Sequence, residues 1–155
     1  MIASTHLAVG AAAGLTVQRC LSSDASNPEK LFWAFVAGFV SHIFLDALPH
    51  QEYSLERTEL GCLLFLEITA VLALLLSPYS SLLANAVVLF GIAGGAIPDV
   101  PGLAYKYVVN WPWLGNLGSK IHFCHGVAPM GFEVNFYLQS LITLAAVILV
   151  KLKSA

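Results

Sequence analysis

The chain has 155 residues, of which 58% are hydrophobic and 10% charged, with a formal net charge of -2. A soluble domain carries about 25% charged residues, so this composition argues against one and points to an integral membrane protein, as does a mean hydropathy of +0.80. No basic patch is present to bind nucleic acid, and three cysteines at unpaired spacing (20, 62 and 124) argue against a disulfide framework.

Five apolar segments follow in order, and the length fits one domain over residues 1–155. The first, about Ile2 to Val17, contains Gly10 and Gly14 as a GxxxG pair. It lacks the positive n-region of a signal peptide and reads as a retained helix. The second runs from Leu31 to Leu48, after a polar stretch with Pro28 near its start. The third is Leu60 to Leu76, closed by Ser77-Pro78. The fourth is Leu82 to Ile97, closed by Pro98, and the fifth is about Phe132 to Leu152. Several are at or below the ~20 residues that span a bilayer. The expectation is an all-α membrane bundle of four to five short transmembrane helices, the first spanning or lying in the interface, with helices that tilt little or a bilayer thinned around them. Between the last two segments, residues 98–131 read as one long aromatic loop. Tyr105, Tyr107, Trp111 and Trp113 suit the headgroup layer, and four prolines argue against one regular helix.

The second segment holds an ionisable pair in apolar surroundings. On a helix His42 and Asp46 are i and i+4 and share one face, and the same stripe runs back through Gly38 and Ala34. Such a pair is costly in an apolar setting unless it is matched from elsewhere. Segment order supplies the match. With five spans, the N-terminus, the 49–59 loop and the 98–131 loop share one face of the membrane. His6, His42, Asp46, Glu67, Asp99, His122, His125 and Glu133 then fall near that one level.

Imidazoles and carboxylates facing one another are ligands for a divalent metal: zinc first, with manganese or iron as alternatives. His6, His42, Asp46, Asp99, His122 and His125 are the candidate ligands; Glu67 and Glu133 are candidate general bases. Each has a plain reading taken alone. His6 could be a headgroup-level polar residue, His42 with Asp46 a packing couple, Asp99 a turn residue, and His122 with His125 a solvated loop pair. Glu67 could orient a histidine from behind, and His50 beyond Pro49 reads as a bystander.

Thr5-His6 opening a Gly/Ala-rich helix, Gly38-Phe39-Val40-Ser41-His42-Ile43-Phe44-Leu45-Asp46, Pro98-Asp99 ending a helix and the His122-Phe123-Cys124-His125 cluster resemble the YdjM-type inner-membrane proteins. These are described as LexA-regulated, membrane-bound metal-dependent hydrolases, distantly akin to the zinc phospholipase C helical fold. The chain departs from the family pattern after Asp99, where Val100-Pro101-Gly102 replaces a further Asp and His, and in the order of the motifs. The resemblance implies a bacterial inner-membrane location and metal-dependent hydrolysis; the site's depth beneath an aromatic loop points to an ester or phosphoester, with a lipid as one candidate substrate. Two other functions stand beside it: a non-catalytic small subunit of a larger membrane complex with a structural metal, pigment or polar cluster, and an ion pathway. The last needs polar residues through the full thickness, and they gather in one leaflet. Four basic residues (Arg19, Lys30, Lys151, Lys153) against three (Arg57, Lys106, Lys120) place the C-terminus in the cytoplasm.

Overall fold

The computed structural model describes residues 3–48, 62, 65–69, 71–73, 82–121 and 132–154, with the backbone alone at 82–84, 132–136 and 153–154. All regular structure among them is helical. The elements are α1 (Ala3–Cys20), α2 (Asn27–Asp46), α3 (Leu82–Ala96), α4 (Asp99–Tyr107), α5 (Pro112–Ile121) and α6 (Phe132–Ser154). Residues 65–69 and 71–73 are also helical.

Local chemistry explains the ends. Ser26 caps α2, its side chain accepting from the Glu29 amide, and Pro28 sits in the first turn, where a missing N–H costs nothing. At the other end Pro98 denies Gly94 its i+4 donor, so α3 stops and α4 departs at 58° to it. Residues 98–121, expected as part of a loop, instead form the hairpin of α4 and α5. The prolines do not forbid this: Pro101 lies in the first turn of α4 and Pro112 opens α5.

Helix α1 lies at the centre, packed on α2, α3 and α6. Its alanines and glycines make that possible. Ala8 and Ala11 are fully buried, and Gly10 touches the α3 backbone so closely that a Cβ would come within 2.5 Å of the Gly91 carbonyl oxygen. Gly38 of α2 presses on that same carbonyl from the other side, and Gly94 of α3 presses on Phe35. Backbones in such contact gain dispersion energy along their length without any large side chain between them. Leu7, Leu15, Val87, Val88, Ile92, Val147 and Val150 fill the remaining core.

No single helix among the described residues is long and apolar enough to cross a membrane; α3 and α4 together pass that test as a bent pair. Exposed apolar side chains are nevertheless many. On α6, Tyr137, Leu141, Leu144, Ile148 and Leu152 follow helical spacing along one exposed face, and α2 exposes Val40 and Phe44 one turn apart.

Candidate metal centre

Four side chains from three separate places in the chain meet where α1, α2 and the α3–α4 break converge. Asp46, the last residue of α2, spans two imidazoles: its Oδ2 lies 3.0 Å from His42 Nε2 and its Oδ1 lies 3.5 Å from His6 Nε2. Asp99 Oδ1, at the start of α4, lies 3.8 Å from the same His42 Nε2. His6, His42 and Asp99 each offer a ligand atom within 4.8 Å of the others, a set able to hold a metal ion.

The break at Pro98 works on both edges of the His42 ring. A helix end leaves its last carbonyls without internal partners, and His42 Nδ1 donates to the Gly95 carbonyl oxygen at 2.8 Å. Four residues on, Asp99 meets the opposite edge. With the proton on Nδ1, the Nε2 lone pair of a neutral His42 faces carboxylate oxygens. Two acceptors 3.0 Å apart repel unless a cation lies between them, either a proton on Nε2 or a metal ion. Donors ~2.0–2.1 Å from a tetrahedral zinc stand roughly 3.3 Å apart. Within the set able to hold an ion, His42 Nε2 and Asp99 Oδ1 stand 3.8 Å apart, near that value.

A second observation points the same way. His6 stacks on His42 with ring centroids 4.1 Å apart and 28° between planes, so the two rings present neighbouring edges to Asp46. Its Nδ1 is buried without a hydrogen-bond partner. A buried imidazole lacking a partner is costly, and a ligating histidine usually donates its other N–H to a carbonyl, carboxylate or water, so the Nδ1 edge of His6 is the incomplete side of the centre. Burial is uneven across the site. His6, His42 and Asp46 are 2%, 1% and 4% exposed, whereas the Asp99 side chain is 33% exposed. The centre is therefore sealed on the helix side and opens at Asp99.

The sequence-predicted residues sort accordingly. His6, His42, Asp46 and Asp99 come together. His122 and His125 lie outside the described residues, as does the side chain of Glu133, which falls on α6. Glu67 accepts from the Ser4 amide at 3.2 Å, in the first turn of α1 and two residues from His6. One polar group escaped the sequence reading. Thr5 and Thr143 hydroxyls meet at 2.9 Å, and Thr143 donates to the Gln139 carbonyl at 2.8 Å beside a buried Gln139 side chain. The signal was present, since Gln139 and Thr143 are i and i+4 in an apolar helix, on the face turned toward Thr5.

Comparison with protein-family models, with curated proteins and with solved structures finds no match to this chain.

Proposed function

We propose that the chain is a membrane-embedded, metal-dependent hydrolase that cleaves an ester or phosphoester of a lipid near one bilayer surface. The observation that carries this reading is the meeting of His6, His42 and Asp99 as a set able to hold an ion, open at Asp99, with Asp46 bridging the two imidazoles. Nitrogen and oxygen donors in this mixture suit zinc first, then manganese or iron. His6, His42, Asp46 and Asp99 would hold the ion. When bound, such an ion supplies Lewis acidity, polarising an ester oxygen and making water acidic enough to attack near neutral pH.

The protein's own residues set the rest. The Gly95 carbonyl fixes the tautomer and tilt of His42, and carbonyl support of this kind raises the basicity of a ligating imidazole. Packing of α1, α2 and α3 excludes water from the three buried ligands, leaving Asp99 as the side from which substrate arrives. The exposed apolar faces of α2 and α6 support a lipid environment, because soluble monomers rarely show contiguous apolar patches of this extent. At 20 and 23 residues, α2 and α6 are roughly 30 and 34 Å long. Polar residues at their ends shorten the apolar part, so the bilayer thins around the bundle. A bacterial inner membrane and the YdjM-like hydrolases are the setting that fits these motifs.

The second reading, a non-catalytic subunit held by a polar couple, is favoured by one distance: 3.0 Å also suits a protonated His42 donating to Asp46. A screen of fluorogenic esters and phosphodiesters in mixed micelles separates the two. The hydrolase reading expects turnover that is lost on chelation and in His42→Ala. Equal turnover by wild type and His42→Ala rules it out.

A further inference from the structure

The hairpin α4–α5 stands apart from the bundle in its packing. Beyond Asp99, which meets His42, the two helices of the hairpin pack closely on each other among the described residues: the Tyr105 ring lies where a Gly115 Cβ would meet it at 3.0 Å, and Gly118 rests on the Gly102 backbone. The two short helices form a tight unit because glycines let their backbones approach. Its far end is apolar and aromatic. Val108, Trp111 and Trp113 are 75%, 56% and 57% exposed, and the two indoles stack with centroids 6.3 Å apart. Adjacent exposed indoles mark a surface that meets something other than water. At a lipid interface, an indole places its ring among upper acyl carbons and its N–H among headgroups.

Charge identifies the lipid. Apart from Asp99 at its start, the hairpin carries no carboxylate, and it holds Lys106 and Lys120, in a chain whose net charge is -2. Each lysine lies in the last turn of its helix, and Lys106 Nζ sits 5.2 Å from the Tyr107 ring centroid. Lysines flanking aromatic side chains direct their ammonium groups toward anionic headgroups while their stems lie along apolar surface.

We propose that the α4–α5 hairpin lies in the headgroup layer of an anionic leaflet, with Trp111 and Trp113 at the level of the ester linkages and Lys106 and Lys120 on lipid phosphates. Asp99 begins this hairpin, so the open side of the metal centre then faces the ester depth of the same leaflet. That consequence rests on the hydrolase reading; the placement of the hairpin does not.

The test is depth-dependent tryptophan quenching in vesicles of phosphatidylcholine and phosphatidylglycerol, three to one. Spin-labelled phosphatidylcholine carries the label at the headgroup, just below the esters, or deep in the acyl chain. Trp33→Phe leaves Trp111 and Trp113 as the only reporters; should it fail to fold, the difference between wild type and Trp111→Phe/Trp113→Phe gives the same signal. The expected result is strongest quenching by the label just below the esters. Emission should be further to the blue than in pure phosphatidylcholine, and that shift should be lost in Lys106→Gln/Lys120→Gln. Strongest quenching by the deep label, or by aqueous iodide, overturns the proposal. So does emission indifferent to phosphatidylglycerol. Metal content measured on the same samples reports separately on the hydrolase reading, so either can fail alone.

Discussion

His6 and His42 stack ring on ring, centroids 4.1 Å apart, although one opens α1 and the other lies near the end of α2. Two imidazolium ions at that distance would repel in a buried setting. The stack therefore disfavours charge on both rings at once; imidazole binds metal in its neutral form. The stack forms only because α1 and α2 both lie against the glycine face of α3.

That dependence gives the first prediction. A methyl at position 95 would come within 2.5 Å of the His6 carbonyl oxygen. Gly95→Ala should push α1 away from α3, tilting His6 and shifting the carbonyl that holds His42. We expect a loss of about 1–3 kcal/mol in stability, the usual cost of overpacking, together with weakened metal binding. Gly102→Ala, where a Cβ meets open space, is the control and should change neither. Unfolding in denaturing detergent and metal titration check both.

Glu67 provides a discriminating pair. Its Oε2 accepts from the Ser4 amide, one of the N–H groups that a helix start leaves unpaired. Glu67→Gln keeps an acceptor oxygen there and should hold metal as wild type does. Glu67→Ala should cost about 1–2 kcal/mol and loosen His6. A general base would respond differently, since Glu67→Gln would then abolish turnover while leaving metal content intact.

The hydroxyl contact between Thr5 and Thr143 fixes α1 against α6 beside His6. Thr143→Val keeps the shape and removes the hydroxyl that Thr5 meets, with an expected loss of ~1 kcal/mol. Thr143→Ser should restore it. Thermal unfolding of the three proteins measures the difference.

The parts of the site legible in the sequence are those that helix geometry or segment order dictates. His42 and Asp46 share a face whatever packs beside them, because i and i+4 do so on any α-helix. His6 and Asp99 follow from segment order, and Gly38, on the stripe of His42 and Asp46, marks a packed side that the structure confirms. The hairpin was not legible: Pro101 and Pro112 looked like breakers, but each occupies a first turn, where proline is tolerated. The Gly95 carbonyl was invisible too. A backbone acceptor has no residue type to recognise, and only the stop imposed by Pro98 next to a packed histidine brings it into play.

Acid should release the ion. Protons compete with metal for imidazole nitrogens and carboxylates, so apparent affinity falls as pH falls and recovers on return to neutrality. Dialysis across a pH series, followed by elemental analysis, checks the direction. A metal content unchanged down to strongly acid pH would place the ion on other ligands.

The most direct measurement of the central claim is elemental analysis of the purified protein, wild type beside His42→Ala and Asp46→Ala, after identical dialysis against a series of buffered free zinc concentrations. Stoichiometric metal in wild type is expected, with affinity in each variant reduced more than ~100-fold, beyond the usual cost of losing a supporting partner. Wild type without metal, or variants that retain it in full while still folded, would contradict the account.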